Sequence, residues 1–541
     1  MAAILVKAFD GLKPLVDPLL LGPADATVAT DVILDSGAVR PLKGVTTLKG
    51  LTKSLPKTLF RYGTSSNEGE HWLEFTNDTD VIRSVAVEDP YGRIYWTDGN
   101  TPKYAPSSLI LSGSSYPGGS YTLGIPAPAS APDIAGSAPS VAALGETRTY
   151  VLTYVSAYGE EGPPSPASTL ATVDPEQPVV LTDIPAAPSG SYNITLKRIY
   201  RSSAVGSSAQ FQFVAEIPVG QTTYTDEVAQ SDLGEVLPTE GWVAPPATLR
   251  GLKLLPSGVA VGFSGNTIYA SEPNLPYAWP HKYPIDSQIV GLGVFRQTVV
   301  ALTNDYPFLL PLVDPAAVAP ERLELPQACV SKNSIVDTGD GVIYASPDGL
   351  VMISSGGVAV VTEKYISPLQ WRALNPSSIR AAWHENTYHA VFTRADGTRG
   401  MMLWNFTGAG ATFRLSKVGE DAPITALHSD ARTDTLYMAY NGNIVRFNRG
   451  ANLTGTWGSK LFRLPYPANF AVASVDASGY PLTLRIYADG ALWHTRTVTS
   501  REPFRLPDGP RALDWRFEID SANDFTRIRM ASTAAELKAI T

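Results

Sequence analysis

The feature that most constrains this chain is a recurring unit of strand, two-residue turn and strand. Asp-Gly and Asn-Gly pairs stand at Asp98-Gly99, Asp340-Gly341, Asp348-Gly349, Asp396-Gly397, Asn441-Gly442 and Asp489-Gly490. Such pairs accept the positive φ that a tight hairpin requires, and the runs around them are rich in Val, Ile, Tyr, Phe and Thr. Long helical periodicity is almost absent, so the expected class is all-β. Units of this kind are read at residues 85–97, 252–270, 289–303, 341–362, 379–406 and 424–447. In the fifth, IRAAW, the turn HENT, YHAVFT, the turn RADGT and RGMMLWNF spell an antiparallel meander. One meander cannot bury its own faces. Sheets stacked radially around an axis bury both faces and protect their edges, which points to an irregular β-propeller. The repeats are too degenerate to give a blade count.

Shifts in composition divide the chain. Residues 1–124 are expected to hold an N-terminal segment and the first propeller strands. Residues 125–143, where IPAPASAPDIAGSAPS is rich in Pro, Ala and Ser, read as a linker without core-forming content. Residues 144–238 give closely spaced short strand candidates with a Pro-rich turn at 162–166, the pattern of a small inserted sandwich. The propeller is expected to resume over 239–457. Longer strands around PYPANF and FRLPDGP then suggest a separate C-terminal β-sandwich over 458–541.

Bulk properties exclude several functions. The 541 residues carry a formal net charge of -9, which argues against an extended basic groove for nucleic acid. Passage of DNA without grip is compatible with that charge. The single cysteine, Cys329, rules out an intrachain disulfide and reads as a small buried hydrophobe suited to assembly in a reducing cytoplasm. The opening MAAILVKAFDGLKPLVDPLLLGP is broken by Lys7, Asp10, Pro14, Asp17 and Pro18, unlike a signal peptide. No stretch reaches the roughly 18–20 apolar residues of a membrane span.

The residue patterns that carry catalysis are each incomplete in this sequence. His384-Glu385 with His389 superficially suggests a zinc protease, but the histidines are five apart and sit in a hairpin, where a zinc helix needs a spacing of four. GFSG at residues 262–265 is one residue short of a nucleophile elbow and falls in a hairpin. Asp340, Asp348, Glu363, Glu385 and Asp396 could furnish the acids of a glycosidase on a propeller, yet four of them adjoin turn residues. Ser346-Pro347-Asp348-Gly349 departs from the sialidase Asp-box. Trp96, Trp383, Trp404 and Trp515 lie inside strand runs and read as packing residues. No catalytic, cofactor-binding or metal-ligating residue is therefore assigned, and the chain is expected not to be an enzyme.

Three local patterns resemble those of tailed-phage structural proteins of the nozzle or tail tubular type. They are residues 9–44 with GAVRP at 37–41, SEPNLPYAWP at 271–280, and FRLPDGPRALDWRFEIDSANDFTRIRMASTAAEL at 504–537. The inserted block, with TYVLTYVSAYGEEGPPSP as its strongest part, resembles a fibronectin type III domain. The first resemblance implies a virion tail protein, assembled in the bacterial cytoplasm as a ring of identical subunits, commonly six. It further implies attachment to the tail adaptor and portal complex and genome ejection through the ring. The inserted sandwich, between Pro-rich linkers, is expected at the periphery, where tail fibres or neighbouring subunits could dock. The competing expectations are a carbohydrate-binding or depolymerising tail protein and a cellular propeller that acts as an interaction scaffold.

Overall fold

The computed structural model describes residues 2–540 except 35, 87, 140, 142–144, 206–207 and 408–409. Strands dominate, and the described residues form only short helices such as Pro368–Arg372 and Ala534–Ala539. No helix among them is long and apolar enough to cross a membrane.

Among the described residues seven small antiparallel units follow one another around a ring, the sixth of them part of a larger sheet, the arrangement of a β-propeller. Blade 1 is the pair Thr58–Arg61 and Trp72–Phe75. Blade 2 is built from Asp80–Arg83, Ile94–Thr97, Lys103–Ala105 and Tyr121–Thr122, and blade 3 from Arg250–Leu254, Ala260–Ser264, Thr267–Ala270 and His281–Pro284. Blade 4 runs Ile289–Phe295, Thr298–Thr303, Phe308–Pro311 and Glu321–Arg322; blade 5 runs Val336–Asp337, Gly341–Ala345, Leu350–Ser354 and Gly357–Val360. Blade 6 is Arg380–His384, Thr387–Thr393, Arg399–Thr407 and Gly410–Ser416. Blade 7 takes Ile424–Asp430, Thr435–Tyr440 and Asn443–Arg446 from late in the chain and its fourth strand, Thr46–Gly50, from near the beginning. That shared blade ties the early and late parts of the chain into one ring.

The first strands of neighbouring blades pack side by side from blade 2 round through blade 7 to blade 1. The remaining step, from blade 1 to blade 2, is bridged by Arg83 Nη2, which donates to the carbonyls of Arg61 at 2.5 Å and Tyr62 at 3.1 Å. Between blades the cores are apolar, as where Val300, Leu302, Val342, Tyr344 and Val351 meet between blades 4 and 5. The hairpins follow the turn chemistry. Asn441 and Gly442 both have positive φ, at 47° and 73°, and connect two strands of blade 7. Residues 85–97 depart from the expected strand-turn-strand. The strand is Asp80–Arg83, residues 85 and 86 form a bend, and Val87 lies outside the described residues. Asp89 causes the departure, because its carboxylate accepts the backbone N–H groups of Tyr91 and Arg93 and folds the segment into a loop.

The insert leaves the ring after blade 2 and returns before blade 3. Tyr150–Ser156, Ile194–Val205 and Ser208–Pro218 form one sheet; Asp133–Gly136, Val179–Thr182 and Tyr224–Asp226 form a second. Tyr150, Leu152, Val179, Leu181, Ile199 and Ile217 share the core between them. One expectation needs correction here. The stretch 125–143 is not a featureless linker, since Asp133–Gly136 pairs along Val179–Thr182. The insert packs on the ring, because the buried Glu160 takes a 2.7 Å bond from Arg93 of blade 2 and the rings of Tyr91 and Tyr158 meet at 4.5 Å.

The C-terminal region is a β-sandwich, but not a separate one. One of its sheets orders Ala3–Val6, Phe525–Ala531, Val472–Ala477 and Phe504–Arg505. The other contains Gly455–Ser459, Ala512–Ser521, Leu482–Ala488 and Ala491–Val498, and continues through Ala26–Thr30 into blade 6 by a parallel pairing of Thr30 with Leu415. Ala3–Val6 and Ala26–Thr30 thus add strands to the C-terminal sandwich, and the segment between them also bonds blade 6, where Leu12 N–H donates to the Phe413 carbonyl at 2.8 Å. Apolar burial explains the union: Phe9 sits edge-on to Trp457 at 4.8 Å and to Phe525 at 5.3 Å, inside one core that runs on to Tyr388 and Trp404 of blade 6.

Candidate functional site: the ring axis and a cationic pocket

Among the described residues, several charged groups at the axis are tied across the ring. Lys253 of blade 3 meets Asp337 of blade 5 at 2.6 Å, and the second oxygen of Asp337 accepts the backbone N–H of Val294 in blade 4. Lys332, just before blade 5, reaches Asp80 of blade 2 at 2.7 Å, while Asp80 also accepts the N–H of Gly251 in blade 3. Arg380 of blade 6 binds Asp78 at the entrance to blade 2 at 2.8 Å. Burial disfavours a charged Lys253, but Asp337 outweighs it and raises the ammonium pKa above its ordinary value. Burial likewise opposes the Asp78 carboxylate, and Arg380 overrides it downward. These chords join blades 2 to 6 and bring each cation a partner.

A second cluster locks blade 7 to blades 1 and 2. Arg61 and Asp430, both almost fully buried, meet at 3.0 Å, and Arg432 bonds the same carboxylate at 3.1 Å. Burial opposes ionisation of Asp430, yet the bonds from Arg432 and Arg61 prevail and draw its pKa down to about 2. Beside them burial lowers the pKa of His428 to about 4, so the ring is neutral at ordinary pH.

The polar end of the interface between blades 6 and 7 is different. A cavity of about 420 Å³ opens there, walled by blade 6, blade 7 and the N-terminal residues Ile33, Arg40 and Leu42. Strand register brings the blade 6 groups together: His389 lies opposite Leu403, Leu403 opposite Arg414, and Thr387 opposite Asn405. With period-two alternation all of them project from the face turned toward blade 7. Below them Val391, Met401 and Leu403 pack on Met438, Val445 and Phe447. Arg40, Arg414 and Arg449 all line the cavity. Arg414 donates to the carbonyl of Val32 at 3.2 Å, and Arg449 to the carbonyl of Asp434 at 2.6 Å. Burial brings the His389 pKa down to about 3, and the ring's Nδ1–H donates to the Thr387 carbonyl at 3.0 Å, leaving Nε2 as its acceptor. Asn405 donates to Thr387 Oγ1 at 3.3 Å while its Oδ1 is buried with no hydrogen-bond partner.

The residues weighed in the sequence fall as follows. His384 and Glu385 line this cavity with His389, but on a hairpin, whose turn residues Glu385 and Asn386 have φ of 46° and 54°. The ligand atoms of His384, Glu385 and Asp434, without His389, lie within 4.8 Å of one another, a spacing that a cation could bridge. The Arg449 guanidinium on the Asp434 carbonyl opposes a cation there. The remaining acids are dispersed over separate turns. Asp340 pairs with Arg296 and Asp348 with Arg372, Asp396 accepts from Thr398, and Glu363 is exposed. Residues 262–265 belong to the hairpin between Ala260–Ser264 and Thr267–Ala270, where the Ser264 and Thr248 hydroxyls bond each other. Trp96, Trp404 and Trp515 are buried and Trp383 packs at the core margin. Burial raises the Cys329 thiol pKa to about 12. Sequence reasoning did not find Arg40, Arg414 or Arg449, which are far apart along the chain. The available signal was Arg414, a charge at an inward position of the alternating strand ATFRLS.

No family model and no curated protein matches the chain. Among solved structures it is similar to the WD40 domain of Toxoplasma gondii coronin, at 8% identity over 63% of this chain and 80% of that one, with a TM-score of 0.25. It is also similar to Kluyvelomyces marxianus Hsv2, at 9% identity over 61% and 95% of the two chains, with a TM-score of 0.28. A computationally designed protein, Ika8, gives 11% identity over 60% and 99%, with a TM-score of 0.24. Likeness at that level carries no functional argument, and the propeller assignment rests on the sheet order above.

Proposed function

We propose that this chain is a structural, non-enzymatic protein of a tailed-phage virion, the ring-forming nozzle that attaches to the tail adaptor at the end of a short tail. One observation carries the reading. The two sequence segments with the most extensive resemblance to nozzle proteins, 9–44 and 504–537, are far apart in the chain yet build one packed module. Phe9 and Phe525 touch within it, and Val39 and Phe525 exchange backbone hydrogen bonds at 3.0 Å. The axial ion pairs add support, since charges committed to holding blades together suit a scaffold. Those chords also cross the propeller's own axis, so the genome conduit in this proposal runs between subunits. A net charge of -9 leaves a polyanion free to slide.

Negative-stain imaging of the chain mixed with tail-adaptor complexes tests the proposal. Rings with a central channel seated on the adaptor are expected. A chain that ignores the adaptor and shortens a capsular or surface polysaccharide would replace it with the depolymerising tail protein.

A further inference from the structure

Strand Thr387–Thr393 of blade 6 has a cavity at each end. Thr387 and His389 line the one described above, and Val391 and Thr393 line a second, of about 320 Å³, between blades 6 and 7 and the segment that leads into blade 1. We propose that this second cavity binds a small carboxylic acid with an apolar body, of the aromatic or branched aliphatic class. The inference holds whether or not the chain assembles into a ring.

Strand register builds the site. Arg380 lies opposite Val391, and Thr393 lies opposite Arg399. With period-two alternation all four share the face that Val391 turns toward blade 7. Val391 and Ile424 form an apolar wall where the core between the blades ends, and Leu55, 63% exposed, extends it toward solvent. The segment that carries Leu55 and Lys57 is held in place. The buried Glu74 carboxylate accepts the N–H groups of Thr52 at 2.9 Å and Lys53 at 2.7 Å, and Lys57 N–H donates to the Phe75 carbonyl at 2.8 Å.

The charged groups of the lining are all donors: Lys57, Arg380 and Arg399 line the cavity, and no acid does. The charge of Arg380 is matched by Asp78, so this residue adds N–H groups and not net charge. Its Nη1 serves Asp78 and the Lys57 carbonyl, while Nε and Nη2 make no hydrogen bond to the described residues. The Lys57 ammonium and the Arg399 guanidinium have no ion pair or hydrogen bond among the described residues. The acids of the adjoining loops stand outside the lining: Asp396 accepts from Thr398, Asp421 accepts from the Tyr440 hydroxyl, and Glu420 is exposed. A carboxylate presents two coplanar oxygens, which suit the open edge of a guanidinium, and Lys57 and Arg399 add charge-assisted donors. An apolar body on the same ligand displaces water from Val391, Ile424 and Leu55. A bare inorganic anion would leave that wall wet, and a neutral ligand would leave the cations to solvent.

Titration calorimetry on the full chain tests this with phenylacetate, isovalerate, acetate, inorganic phosphate and benzyl alcohol as probes. Phenylacetate and isovalerate are expected to bind at least tenfold more tightly than the other three. Lys57→Gln and Arg399→Gln should each weaken phenylacetate at least threefold. Neither side chain has a partner to lose, so both variants are expected to keep the parental melting curve, which separates binding from folding. Arg296→Gln, on an exposed pair in blade 4, should leave the affinity unchanged. The inference is overturned by no binding of phenylacetate or isovalerate, or by acetate, phosphate or benzyl alcohol binding as tightly. It is also overturned by an affinity that Lys57→Gln and Arg399→Gln leave as it was, or that Arg296→Gln lowers as much.

Discussion

The axis and the blade 6/7 cavity use the same residue types to opposite ends. At the axis Lys253, Lys332 and Arg380 each face one carboxylate from another blade, and Asp337 and Asp80 also accept the backbone N–H groups of Val294 and Gly251. The cavity is lined by Arg40, Arg414 and Arg449 around open space, and the buried Asn405 Oδ1 beside them has no hydrogen-bond partner. Ion pairs with no room around them hold blades together, whereas polar groups around room leave space for another molecule.

The largest break in the comparison comes from removing a partner in the buried cluster. Asp430→Asn leaves Arg61 without its counter-charge, and chemical denaturation is expected to show a loss of about 3–5 kcal/mol. Next is acid. His389 and His428 have folded pKa values of about 3 and about 4, below the ordinary imidazole value, so unfolded chains bind protons first as pH falls. Stability from this source is fully present above about pH 6.5 and drains away below it, by about 1.4 kcal/mol per pH unit for each ring until the folded pKa is reached. Melting curves from pH 7 to 4.5 should fall accordingly, and His389→Gln should flatten the slope. Asp430 works the same way lower down: its depressed pKa adds stability above about pH 4 that is lost toward pH 2.

A smaller effect is expected at the chords. Asp337→Ala removes a partly exposed ion pair and the bond to Val294, for about 1–2 kcal/mol by denaturant midpoint. Arg449→Gln sits at the far end, within about 0.5 kcal/mol of the parent. If the chord variant costs nothing and the pocket variant unfolds the chain, cohesion lies at the cavity and not at the axis.

Much of the ring was legible in the sequence because hairpins announce themselves locally. Glu385-Asn386 within HENT and Asn441-Gly442 are two-residue turns, and the alternation of YHAVFT sorts Tyr388 and Phe392 to one face and His389 to the other. What escaped was everything set by contacts distant in sequence. Thr46–Gly50 completes a blade formed four hundred residues later, and Ala3–Val6 pairs with Phe525–Ala531. Neither carries a local sign of its partner. Asp133–Gly136 hid inside a Pro and Ala background because one paired strand needs few core side chains. The cavity was invisible for the same reason as the terminal module, since Arg40, Arg414 and Arg449 acquire a shared meaning only after the ring closes.

The central claim, that this is an assembling scaffold, is tested most directly by the mass of the purified chain in light scattering, alone and with tail-adaptor complexes. The account predicts a closed multimer, formed alone or on the adaptor, with a mass that is a whole multiple of the chain. A monomer in both conditions would contradict it.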